Sequence, residues 1–189
     1  YRVRATNFAG TSWADVSSTF RTEKAPPLLI TEFMASNSSS LTTRIRSTPG
    51  GSYGDRIYPD WIEIHNPGPA PVQLDGYHLT DNAANLTKWT FPAITLNADQ
   101  YLVVFASNKD RTDPASQLHT SFRLSSGGEF LGLVAPDGTT IVSAFGPVYP
   151  PQFDDQSFGF GVPGSSSNLD LTPFWSSPGN YANIALTGT

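Results

Sequence analysis

Asp60-Trp61-Ile62-Glu63-Ile64-His65-Asn66 is the stretch whose pattern decides how this chain folds. Successive side chains of a strand point to opposite sides. Ile62 and Ile64 therefore share one face, and Trp61, Glu63 and His65 share the other. Bulky groups on both faces predict a central strand, and Asn66-Pro67-Gly68-Pro69 turns the chain at its end. Leu28 to Met34 precedes it as a further apolar run. Others follow at Val72-Gln73-Leu74, Tyr77 to Thr80, Lys88 to Phe91 and Gln100 to Ala106. Tyr101-Leu102-Val103-Val104-Phe105 is continuously apolar, the pattern of a strand buried on both faces. Phe130 to Val134 and Thr140 to Phe145 flank Ala135-Pro136-Asp137-Gly138, where Asp-Gly signals a hairpin. There is no convincing amphipathic helix, heptad run or tandem repeat. The chain reads as all-β.

The composition agrees. A chain of 189 residues can bury a core without covalent staples. Its 16 glycines and 16 prolines suit a turn-rich β protein, and its aromatic content is too high for a disordered one. The absence of cysteine excludes disulfides, thiol catalysis and thiolate metal sites, but leaves the compartment open. The net charge is −5 and the lysines are scattered at Lys24, Lys88 and Lys109, so nucleic acid is a poor partner. Arg44 and Arg46 read as solvated groups in a Ser/Thr-rich loop. No stretch is long and apolar enough to span a bilayer.

Ahead of the main domain, Tyr1, Val3 and Ala5 alternate with Arg2, Arg4 and Thr6. A turn at Asn7-Phe8-Ala9-Gly10-Thr11 then leads into a return strand over Ser12 to Phe20, so residues 1–22 read as a β-hairpin. Its pattern resembles the last hairpin of a fibronectin type III domain. Residues 23–27, with Pro26-Pro27, form a linker. Residues 35–58 read as a long polar loop without clear periodicity, and residues 163–189 as a Ser/Gly/Pro-rich closing segment and linker, with Trp175 expected to fold back onto the sandwich. The chain opens at Tyr1 inside a strand-like pattern. It is expected to be a piece of a longer protein whose export signal lies elsewhere.

Residues 28–162 resemble the lamin tail domain family, an immunoglobulin-like β-sandwich. Gly76-Tyr77-His78-Leu79 takes the place of the family's Gly-Trp-x-Leu/Ile, Trp89-Thr90-Phe91-Pro92 fits its aromatic-x-Phe-Pro, and Tyr101 to Ser107 fits its buried strand. His119 to Leu124, Gly128 to Leu131, Pro136-Asp137-Gly138, Tyr149 to Gln152 and Asp155 to Gly159 look like the bacterial branch. The resemblance implies an exported, multidomain bacterial surface protein and a fold with no built-in chemistry. It does not imply a nuclear protein.

The candidate sites are few. Bacterial relatives often carry an acidic, calcium-loop-like stretch before Asp-Trp-Ile-Glu. Here only Asp55 and Asp60 stand there, beside Arg56, a thin set for a cation that takes about six to eight oxygens. No metal or other cofactor is expected; Asp55 and Asp60 stand as thin candidates, for calcium. Glu32 and Glu63 invite a catalytic-pair reading, since paired acids cleave glycosidic bonds. Each also fits an ordinary strand position. His65, His78 and His119 lack ligand spacing. Asp154-Asp155 reads as a solvated turn. Trp61, Tyr77, Trp89, Phe91 and Phe105 read as core rather than as a sugar platform. Tyr53, Tyr58, Tyr149, Phe153 and Phe158 lie in apparent loops, which carry binding more often than strands do, and form the expected recognition surface.

The expected role is non-catalytic: a spacer, adhesive unit or docking module outside the cell, presenting loops 35–58 and 146–158. Its partners would be other domains of the same polypeptide and a protein or polysaccharide at the cell surface, without membrane insertion. Two alternatives are a fibre segment self-associating by strand addition at residues 1–22, and an accessory domain positioning a hydrolase or kinase in the same polypeptide.

Overall fold

Short apolar runs cut by Pro, Gly, Asn and Asp turns leave little room for helix, and among the described residues the chain forms strands and turns only. The computed structural model describes residues 28–46 and 53–160, with the strand segments 4–7, 10–13 and 173–176. In chain order the strands are β1 (Arg4–Asn7), β2 (Gly10–Trp13), β3 (Leu29–Met34), β4 (Thr43–Arg46), β5 (Tyr53–Ile57), β6 (Asp60–His65), β7 (Val72–Gln73) and β8 (His78–Thr80). They continue as β9 (Trp89–Thr90), β10 (Thr95–Leu96), β11 (Tyr101–Ala106), β12 (Leu131–Val134), β13 (Ile141–Phe145), β14 (Ser157–Phe160) and β15 (Pro173–Ser176).

A five-stranded sheet runs β11-β6-β3-β14-β15 and a four-stranded sheet runs β13-β12-β8-β9. Two-stranded ribbons join β7 to β10, β4 to β5 and β1 to β2, and every strand pairing is antiparallel. The result is an immunoglobulin-like β-sandwich.

Strand β6 is central, as its two bulky faces require. Ile62 and Ile64 enter the main core with Ile30, Phe33, Leu79, Val104, Leu131 and Leu133. Phe33 is the hub of an aromatic cluster. Its ring centroid lies 5.0 Å from Phe145, 4.6 Å from Tyr149 and 5.7 Å from Phe158. Each such side chain stabilises the fold by roughly 1.5–3 kcal/mol through burial. Trp61 forms a second, smaller cluster with Met34 and Phe105, with Leu41 and Val103 packed against it.

One irregularity decides what the outward face carries. The β3–β6 register pairs Ile30 with Ile64 and then Glu32 with Glu63, so Thr31 is an extra residue, a β-bulge. Without the bulge Ile30 and Glu32 would share a face. With it, Ile30 points into the core and Glu32 falls opposite Glu63. The bulge also explains Gly159, which pairs with Glu32 from β14. A Cβ there would lie 2.2 Å from the Thr31 carbonyl oxygen and 2.9 Å from Glu32 Cα.

Three expectations change. Strand β11 is an edge strand, and Tyr101 and Val103 are half-buried rather than enclosed on both faces. Its apolar run instead serves both clusters, and its far half is covered where Phe105 N–H donates to Leu118 O (2.9 Å) and Thr120 N–H to Phe105 O (2.8 Å). Residues 35–58 are not one irregular loop, because they contain the β4–β5 ribbon. Its strands are short and polar and their register shifts between Arg44 and Arg46, so no period survives in the sequence. The N-terminal hairpin pairs Arg4 with Trp13 and Asn7 with Gly10, so Asn7, Gly10 and Thr11, expected in the turn, lie on its strands. The remainder of the expected hairpin (residues 1–3 and 14–22), the linker 23–27 and most of 163–189 lie outside the described residues. Within that closing segment β15 pairs with β14 at the sheet edge.

Candidate functional site

The two loops expected to carry recognition are bound to each other. Asp155 adopts a left-handed backbone conformation (φ 56°) that Asp tolerates better than most residues. Its carboxylate accepts the N–H groups of Ser38 and Ser39, both at 2.8 Å, and their hydroxyls, both at 2.7 Å. The Ser40 hydroxyl adds a longer bond at 3.2 Å. In return Asp155 N–H donates to Ser36 O at 2.8 Å, and the Ser36 hydroxyl donates to Asp154. Partial burial pushes the Asp155 carboxyl up. The Ser38 and Ser39 donors outweigh it and hold the group well below the usual carboxylate range. Asp154-Asp155 forms a surface turn, as expected, and that turn is also a clasp on Ser36–Ser40.

Asn37 continues the clasp on its other side. Its side-chain amide donates to Leu41 O (2.6 Å) and Pro59 O (2.8 Å), and its N–H donates to Asp60 Oδ1 (3.3 Å). Burial raises Asp60 to a pKa of about 6, against the lowering effect of backbone donors at Asn37 and Leu124 and of the nearby Arg123 charge. Asp60 therefore holds a loop. Among the described residues no group of three or more His, Asp or Glu side chains is placed to hold a metal. The side chain of Asp55, its expected companion, lies outside them.

The five expected recognition residues divide. Tyr149 is 2% exposed and Phe158 5%, so both belong to the core and neither can meet a partner. Tyr149 packs on Phe33, and its hydroxyl bonds to Ser125 and Glu129, tying the 146–158 segment to the turn at 125–129. Phe158 alternates with Ser157 and Gly159 along β14, a period-two signal short enough to be overlooked. Tyr58 and Phe153 are exposed, at 36% and 60%. Val148, 62% exposed, joins them; the prolines at 147, 150 and 151 around it were the signal that it sits on an irregular segment. Tyr53 is on β5, and its side chain lies outside the described residues.

The outward face of the five-stranded sheet holds one strongly perturbed acid, Glu63. Glu63 is 3% exposed; its Oε1 accepts the Thr31 hydroxyl at 2.7 Å, and its Oε2 meets no partner among the described residues. Burial, then the Glu32 charge, raises Glu63 to a pKa of about 7. Glu32 accepts a hydrogen bond from the Ser157 hydroxyl. A glycosidic bond has no route to a carboxyl so enclosed, so the pair does not form an open acid–base site. Beside it His65 stacks on Tyr101 (4.0 Å, 3°) and its Nε2 lies 3.0 Å from Asp99.

The histidines do not converge. His78 is on β8 in the other sheet, its Nδ1 2.9 Å from the Thr90 hydroxyl. His119 stacks on Phe105, with Nδ1 2.9 Å from Ser107 Oγ. That Ser–His contact is buried on both sides, at 4% and 2% exposure, which bars a substrate. Burial, then the Arg111 and Lys109 charges, lowers His119 to about 4.

The β4–β5 ribbon adds a feature that the sequence hid. Arg44 pairs directly with Arg56, and both are exposed. The ribbon is anchored at its base, where Thr43 is buried and its hydroxyl donates to Gln117.

Comparison with known proteins adds one match. A family model described as Lamin Tail Domain covers residues 21–148 of the chain. Neither the curated proteins nor the solved structures contain a match.

Proposed function

The chain belongs to the lamin tail domain family, a non-catalytic immunoglobulin-like fold, and from that premise we propose that it is a structural and binding module of a larger exported bacterial surface protein. It serves there as a spacer, adhesive unit or docking site. The observation that supports this reading most is the clasp of Asp155 on Ser38 and Ser39, which ties residues 36–40 to the turn at Asp154–Asp155. Rigid loops lose little entropy on binding, which raises affinity without new contacts. Tyr58, Val148 and Phe153 supply exposed apolar groups on those segments. The partners are other domains of the same polypeptide and a protein or polysaccharide at the cell surface.

Binding of the labelled chain to arrayed surface glycans and envelope proteins tests the proposal. A ligand captured by the native chain and lost in Tyr58→Ser/Val148→Ser supports it. Binding unchanged by those substitutions removes these loops from the account.

A second reading rests on the β1–β2 hairpin, which pairs with no other described strand. It makes the chain a fibre segment that grows by strand addition. Light scattering over a concentration series separates the two readings: association that grows with concentration favours the fibre, and a monomer throughout removes it.

A further inference from the structure

Like charges directly opposite on an antiparallel pair repel. Arg44 and Arg56 occupy such a position, exposed, on a ribbon whose base is pinned by Thr43 and Gln117. Neither arginine takes part in the ion pairs of His65 with Asp99 and of Lys88 with Asp81. Arg46 sits farther along the same ribbon, at the register position opposite Tyr53. Residues 43–57 therefore carry three of the chain's 11 basic residues against a single acid, Asp55, on a protein of net charge −5. A local concentration of positive charge against the overall sign is the pattern of an anion contact.

Two guanidinium groups rising from one fixed base offer donors in planar forks, a geometry that matches carboxylate and sulfate oxygens. Tyr58 follows the ribbon directly, two residues after Arg56, and is 36% exposed, an aromatic ring free to pack against the C–H face of a sugar. A nucleic acid fits less well. Its charge density, about one per 1.7 Å of duplex, meets repulsion from the acidic body of the protein. A uronate or sulfated polysaccharide carries sparser charge on a flexible chain.

Resting on the reading of loops 35–58 as part of a binding surface, we propose that the β4–β5 ribbon binds an acidic polysaccharide, with Arg44 and Arg56 bridging its carboxylate or sulfate groups. Calorimetric titration of the full chain with polygalacturonate, heparin, neutral dextran and single-stranded DNA tests this. Saturable binding of polygalacturonate or heparin is expected, weakening as salt rises from about 50 to about 300 mM. Which of the two binds more tightly separates carboxylate from sulfate recognition. In Arg44→Ser/Arg56→Ser the affinity falls by on the order of tenfold or more, while the melting temperature holds or rises because the repulsion is gone. Arg44→Lys/Arg56→Lys, which keeps the charge but not the fork, binds with intermediate affinity.

Absence of binding to both acidic polymers, binding undiminished in the serine variant, or DNA bound as tightly as the polysaccharides each overturns the proposal. Dextran bound as well as polygalacturonate overturns the charge assignment alone, and leaves intact the reading of the chain as a surface-binding module.

Discussion

Glu32 and Glu63 stand directly opposite each other on β3 and β6, held there by the bulge at Thr31. Two carboxylates in that relation cannot both ionise at low cost when one is enclosed. Glu63 is the enclosed one, and its raised pKa means that the folded chain binds a proton that the unfolded chain releases. The stability tied to that proton is fully present below the ordinary glutamate value of 4.5. It is lost as pH rises through about 7.

Glu63→Gln keeps an acceptor for the Thr31 hydroxyl and removes the titration. The variant is expected to unfold at higher denaturant than the native chain at pH 8 and to match it near pH 4. The difference is on the order of 3 kcal/mol at about 1.4 kcal/mol per pKa unit. Urea midpoints at the two pH values check this, and a gap independent of pH would remove Glu63 as its source.

His119 acts in the opposite direction. Its folded pKa is lowered to about 4 from 6.5, so the unfolded chain binds the proton more readily. The stability it contributes is complete above 6.5 and is lost as pH falls towards 4. A neutral ring stacked on Phe105 against Ser107 becomes a buried cation beside Arg111 and Lys109. His119→Gln is expected to flatten the acid limb of the stability profile. An acid limb as steep as the native one would show that another group carries it.

Gly159 has no room for a side chain against the bulge carbonyl of Thr31. The contact atom is backbone and cannot swing aside, so Gly159→Ala must spread β14 from β3. The cost is about 1–3 kcal/mol, as for other overpacked sites. Gly127→Ala, where a Cβ would meet only Ser125 Oγ at 3.6 Å, is the control and is expected to be near neutral. Thermal melts of the two variants compare them directly.

Much of the sandwich was legible in the sequence because it rests on local pattern. Asp60–His65 alternates over a full strand, and the turn at Pro136-Asp137-Gly138 announces itself: Gly138 has φ +70°, and Asp137 accepts the N–H groups of Thr139 and Thr140. What stayed hidden depends on residues far apart in the chain. Tyr149 looks like a loop residue until Phe33, more than a hundred positions earlier, is seen to pack against it. The Asp155 clasp joins segments separated by 115 positions or more, and no spacing rule reaches that far. The Arg44–Arg56 pair is invisible because the ribbon's register is set by a shift rather than by alternation. The Glu32–Glu63 pairing needed the bulge, which no composition rule places at Thr31.

Asp155 fixes residues 36–40 against the 154–155 turn. Amide hydrogen exchange at Ser38 and Ser39, in the native chain and in Asp155→Ala, tests it most directly. Both amides are expected to be protected in the native chain and to exchange freely in the variant, with β6 and β11 equally protected in both. Rapid exchange at Ser38 and Ser39 in the native chain, with the core strands protected, would show that Asp155 does not hold them.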